Sequence, residues 1–161
     1  MKIKESFSYD GADVESVYAL ISDQAFRTES CANQEAIEYD VSVEATGDGA
    51  TVTLFRTQEA DMPDFVKKLT GSTVKVKQTE VWGGPDSDGN RTANVKVSII
   101  GQPAEMVGVA KLTGSSGGTE FTLDGDVKVS IPFIGKKIEP EVARAIIASL
   151  REEVAYGMEK L

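Results

Sequence analysis

One long amphipathic helix at the end of an otherwise β-patterned chain decides what this sequence can become. Over residues 140–160, Val142, Ile146, Leu150 and Val154 recur at every fourth position, and Ala143, Ile147 and Met158 widen the stripe. Glu141, Arg144, Arg151, Glu152 and Glu159 fall on the other side, as in a helix with one apolar face. Almost everything before it alternates with a period of two, the repeat of strands that bury one side. A helix of that length with only a sheet to lie on predicts a curved sheet gripping a helix, an arrangement that often surrounds a cavity.

The strands can be placed in turn. Ile3, Phe7 and Tyr9 alternate with Lys2, Lys4, Ser6 and Ser8 in the first. Asp10-Gly11-Ala12-Asp13 ends it, and Asp13 is suited to cap a helix carrying Val14, Val17, Tyr18 and Ile21. A second short helix is expected over residues 23–31. Ile37, Tyr39, Val41 and Val43 share one face of the next strand, and Thr46-Gly47-Asp48-Gly49 turns it back into residues 51–58. Asp61-Met62-Pro63-Asp64 opens a short helix with Phe65, Val66 and Leu69 facing inward. Further strands follow at 73–82, 91–100, 105–113 and 119–131. The short connections make the strands antiparallel neighbours. No repeat and no linker divides residues 1–161, so the expectation is a single α+β domain with seven strands.

Charge and composition exclude several functions. The net charge of −9 repels phosphate backbones and anionic lipid surfaces, which argues against nucleic acid. No apolar run is long enough for stable membrane insertion. Met1-Lys2-Ile3-Lys4-Glu5 reads as a strand rather than a signal peptide, and a single cysteine permits no internal disulfide. A cytoplasmic location is the expectation. The chain has no histidine, so the commonest general base near neutral pH and the commonest transition-metal ligand are missing. No metal and no cofactor is expected. Gly114-Ser115-Ser116-Gly117-Gly118 matches a nucleophile-elbow string but joins two strands and lacks a histidine partner. Asp86, Asp88 and Asn90 imitate the start of a calcium loop, yet Arg91 and Val97 stand where its glycine and closing glutamate belong.

The order of elements resembles the START-like helix-grip superfamily, also called SRPBCC, with its birch pollen allergens, polyketide cyclases and lipid-transfer domains. The resemblance covers essentially the whole chain. It sharpens over Ala19-Leu20-Ile21-Ser22-Asp23-Gln24-Ala25-Phe26-Arg27 and over Val127-Lys128-Val129-Ser130-Ile131-Pro132-Phe133-Ile134-Gly135-Lys136-Lys137-Ile138-Glu139. Those stretches are similar to a mostly actinobacterial branch of unknown function. The resemblance implies the fold and an internal pocket, and no activity.

Strand alternation then nominates the pocket wall. Val74, Val76, Gln78, Glu80 and Trp82 point to one side of their strand, and Val52, Leu54 and Arg56 to one side of theirs. The apolar members select those sides as inward. This carries Arg56 and Glu80 into the interior as a pair or as partners of a polar ligand, unless a bulge reverses the register. Val41, Val52, Val76, Val95, Val97, Leu123, Ile146 and Leu150 are the expected apolar wall, and Tyr39, Arg56, Gln78 and Glu80 the polar groups. Lys136 and Lys137 fall in a loop before the helix, where exposed lysines are expected to be simply solvated, with a phosphate or carboxylate headgroup near the cavity mouth as the alternative. Three functions remain: non-enzymatic binding or transport of a small hydrophobic or amphipathic molecule, a lipid or polyketide-like metabolite; a cyclase- or dehydratase-like enzyme using Glu80 as acid/base with Arg56 or Tyr39 polarising a carbonyl; or a protein-interaction module with a packed core.

Overall fold

The structure, a computed structural model, describes residues 1–161. Its elements are β1 (Lys2–Asp10), α1 (Val14–Ile21), α2 (Gln24–Asn33), β2 (Glu38–Thr46), β3 (Gly49–Glu59) and α3 (Asp64–Thr70). There follow β4 (Thr73–Trp82), β5 (Arg91–Ile99), β6 (Ala104–Ser115), β7 (Gly118–Val129) and α4 (Gly135–Lys160). All seven strands form one antiparallel sheet in the order β1-β7-β6-β5-β4-β3-β2, curved around α4. Consecutive hairpins build β2 to β7, and β1 returns to pair with β7, Lys2 opposite Asp126 and Asp10 opposite Gly118. Asp13 and Asp23 cap α1 and α2 by accepting from Ser16 N at 2.8 Å and Ala25 N at 3.3 Å.

The first helices are fastened to one end of the sheet by Arg91. Its guanidinium stacks 3.6 Å from the centre of the Tyr18 ring and donates to the Glu15 carboxylate and to the Asp48 and Gly83 carbonyls. Trp82 meets the Tyr18 ring edge-on.

Helix α4 touches the sheet hardest near its two ends. A Cβ at Gly135 would stand 2.2 Å from the Val129 carbonyl oxygen, and one at Gly157 would stand 3.1 Å from the Tyr9 ring. Glycine permits both approaches. Ile138, Val142 and Ala143 are buried near one end and Val154 near the other. Between Ala143 and Val154, roughly 16 Å of helix at 1.5 Å per residue, no side chain is fully buried. Ile146 and Leu150 lie in that stretch. The helix is clamped at both ends and only partly packed in the middle, where Ile146 and Leu150 touch the core.

Three expectations need correction. Helix α4 begins at Gly135 rather than at Pro140, so Lys136 and Lys137 belong to its first turn and Pro140 lies inside it. The early turns are held by Gly135 N donating to Ile131 O, by Ile138 N donating to Ile134 O, and by the Glu139 carboxylate accepting from Val129 N. Proline costs one helix bond there, close enough to the terminus for these contacts to outweigh it. On α3 only Val66 is buried, whereas Phe65 and Leu69 are exposed, because this two-turn helix lies on the rim with one narrow face against the sheet. On β2 only Val41 is buried, and Tyr39 and the preceding Ile37 are exposed. That strand is the sheet edge, where α2 covers Val41 alone in a small cluster with Cys31 and Leu54.

Candidate functional site

Under the middle of α4 the sheet and helix enclose a cavity. Its volume is about 50 Å³. Arg56, Gln78, Glu80, Val95, Val97, Leu123, Ile146 and Leu150 line it, together with Arg27, Met106, Phe121 and Glu153. A second space of about 40 Å³ adjoins it and shares Arg56, Val97 and Ile146. Val76 belongs to this second space. The pairings Arg56 with Val76, Gln78 with Val97 and Glu80 with Val95 place these residues on one continuous inner face, with no bulge to reverse them.

Three nominated residues lie elsewhere. Val52 is wholly buried in the core and reaches neither space. Val41 sits in the edge cluster, and Tyr39 stands exposed on the edge strand although it pairs with Arg56 across β2 and β3. The inner face continues past the point where the helix covers it, so alternation alone places Tyr39 and Val41 on the correct side but too far out, whereas Val52 is taken up by the packed core.

The expected Arg56–Glu80 pair does not form. Glu80 is held by Arg27, which α2 lays over the sheet: Arg27 Nη1 donates to Oε1 at 3.0 Å and Nη2 to Oε2 at 2.5 Å. Gln78 Nε2 donates to Oε2 at 2.6 Å and Trp82 Nε1 to Oε1 at 2.9 Å. Burial pushes the Glu80 pKa up, but Arg27 and these hydrogen bonds outweigh it and hold the carboxyl below its ordinary value. Arg27 also donates to the Ile21 carbonyl, and its Nε lies 3.0 Å from Glu153 Oε1 as an ion pair rather than a well-aligned hydrogen bond. Burial opposes the charge on Arg27, while Glu153 and Glu80 secure it. Glu153 moves the other way: burial raises its pKa, Arg27 pulls it down in part, and Glu80 pushes it up again.

Arg56 has no such company. It is 8% exposed, its Nε is buried without a partner, and no carboxylate lies within ion-pairing distance. Burial lowers its pKa, with Arg27 adding repulsion while Cys31, Glu153 and Glu80 favour the charge.

Sequence reading missed Arg27 and Glu153, although both carried a signal. Arg27 shares the buried stripe of α2 with Phe26, Ser30 and Cys31. Glu153 follows Ile146 and Leu150 at the i, i+4, i+7 spacing of one helix face, a carboxylate among apolar positions. The other motifs are accounted for by turns and burial. Residues 114–118 form the β6–β7 hairpin, Asp86 accepts from Asp88 N and Asn90 N to close a turn, and Cys31 is buried with its thiol pKa raised by that burial. No helix is long and apolar enough to cross a membrane.

A curved seven-stranded antiparallel sheet gripping a long C-terminal helix over a cavity defines the START-like helix-grip class. Solved structures agree on the fold. A STAR-related lipid transfer protein of Xanthomonas axonopodis superposes with a TM-score of 0.64 at 15% identity, covering 96% of this chain and 84% of that one. The di-domain ARO/CYC StfQ of the steffimycin biosynthetic pathway gives 0.60 at 13%, covering 99% and 51%. Human STARD10 gives 0.54 at 15%, covering 99% and 65%. Within this class the chain belongs to the family described as "Protein of unknown function (DUF2505)", whose model matches residues 4–161. Uncharacterised proteins of Mycobacterium bovis and Mycobacterium tuberculosis are 36% identical over 99 residues, 58% of this chain. The match spans 56%, a little over half, of the length of these curated relatives.

Proposed function

We propose that the protein reversibly binds a small, mostly apolar molecule in the cavity beneath α4 and performs no reaction on it. The observation that carries this reading is the helix clamped by Gly135 and Gly157 at its ends yet only partly packed in between, over a wall of Val95, Val97, Leu123 and Leu150. Natural cores close such gaps, because each missing contact forfeits dispersion and burial. A lipid-transfer protein and an ARO/CYC protein among the structural neighbours support an apolar or amphipathic ligand. The cavity volume exceeds the 10–15 Å³ or so that one water requires, but it favours a short ligand unless Ile146 and Leu150 move outward.

Glu80 speaks against the cyclase-like reading. Both its oxygens already accept hydrogen bonds, four in all, and its depressed pKa keeps it ionised. A general acid/base needs a free lone pair and a pKa near the working pH.

Leu150→Trp tests the cavity. The neutral dye N-phenyl-1-naphthylamine should brighten with the wild-type protein, and the folded variant should bind it at least about tenfold more weakly as the indole fills the space. Unchanged binding by a folded Leu150→Trp protein would place the site elsewhere. A wild-type protein that does not bind the dye would favour a packed interaction module.

A further inference from the structure

The cavity is lined by two arginines, and its acids serve only one of them. Both oxygens of Glu80 are engaged by Arg27, Gln78 and Trp82, and the carboxylate of Glu153 faces Arg27 Nε at 3.0 Å. Arg56 is left with no hydrogen bond and no ion pair, its Nε sealed from solvent. A guanidinium cannot discard its proton to escape burial, as a lysine or a carboxyl can. Its charge therefore stays, and its buried Nε lacks an acceptor, an arrangement that costs free energy unless something accepts from it. Arg56 stands where the two spaces beneath α4 adjoin, with Val97 and Ile146 common to both. A molecule lying in either space reaches it.

We infer that Arg56 anchors the head of the cavity ligand, and that this head is a carboxylate carried on a short apolar body. The assignment rests on the binding reading above and adds the ligand's chemical class. One unpaired cation matches one negative charge. The planar fork of a guanidinium takes the two oxygens of a carboxylate through parallel N–H donors, the geometry of its strongest hydrogen bonds. Highly charged heads such as a diphosphate would bring more negative charge than the single free arginine offsets, next to Glu153 and Glu80. The body of the ligand then lies against Val95, Val97, Leu123 and Leu150, where each buried methylene adds about 0.8 kcal/mol. Arg27 does not compete for the head because Glu80 already occupies its fork.

Calorimetric titration with octanoate and with octan-1-ol, which share the same tail, tests the head alone. Octanoate should bind the wild-type protein at least about tenfold more tightly, the scale of one charge-assisted hydrogen-bonded pair. Arg56→Met should bring the two affinities within about twofold by weakening octanoate only. Arg56→Lys, which keeps the charge but loses the fork, should give an intermediate preference and decides the matter if Arg56→Met does not fold. Equal binding of the two probes by the wild type would overturn the carboxylate assignment while leaving the cavity reading intact. A preference for octanoate that persists in folded Arg56→Met would move the anion site to another residue. Binding of neither probe would remove both readings together.

Discussion

Arg27 and Arg56 present the same side chain to the same interior from opposite walls, and their surroundings could hardly differ more. Arg27 is 1% exposed, joined to Glu80 through both fork nitrogens, bonded to a backbone carbonyl and adjacent to a second carboxylate. Arg91, the third buried arginine, is equally well supplied by Glu15, two carbonyls and the face of Tyr18. Only Arg56 lacks partners. Buried charges in proteins are normally paired, so a fold that satisfies two and neglects the third has divided structural duty from another one. The paired arginines tie helices to the sheet. The unpaired one faces the empty space.

Substitutions can break that comparison, and the largest effect belongs to Arg27→Met. It strips the charge partner from a buried carboxylate and leaves Glu80 with Gln78 and Trp82 alone, which should cost about 3–5 kcal/mol in urea denaturation. A loss below about 1 kcal/mol would mean that Arg27 is no strut. Arg56→Met should behave in the opposite sense. Replacing an unpaired buried cation with an apolar side chain of similar length should leave stability unchanged or raise it by about 1 kcal/mol. A loss comparable to that of Arg27→Met would show hidden partners and erase the distinction between the two residues.

The smallest effect is expected from Glu153 and takes the form of a pH slope. Its folded pKa lies above the ordinary 4.5, so the native state binds the proton more tightly than the unfolded chain. Stability from this group therefore declines as pH rises from about 4.5 through the folded value. Glu80 has the reverse sign: its folded pKa is depressed, and the stability it provides is present above 4.5 and lost as pH falls through the folded value. Glu153→Gln should accordingly match or exceed the wild type in thermal midpoint at pH 7–8, with the advantage vanishing near pH 4.5. An advantage that grows toward acid would reverse the assignment.

The fold was largely legible in the sequence because it is written in local periodicities. The strand from Thr73 to Trp82 alternates without interruption, and the α4 stripe holds its spacing to Val154. Arg56, Gln78 and Glu80 could be set on the inner face by the same parity. Parity is silent about which wall faces which, so it gave Glu80 the wrong partner: Arg27 comes from α2, fifty-three positions away in sequence. It is equally silent about how far a helix extends across a sheet, which is why Tyr39 and Val41 were placed at a cavity they do not reach. The start of α4 was obscured by Pro140, whose usual place is the first turn, and by tertiary contacts at Gly135 that no periodicity reports.

The pairing of β1 with β7 imposes an order on synthesis. β1 has no partner until the residues around Asp126 have been made, whereas β2 to β7 can zip as successive hairpins. Closing so long a loop is slow compared with hairpin formation, and α4 comes later still. Throughout that interval the inner wall of the nascent sheet, with Arg56 and its apolar neighbours, faces water. Until both β1 and α4 dock, a sheet of β2 to β7 would present that wall as an open trough, where misassociation competes with completion of the fold.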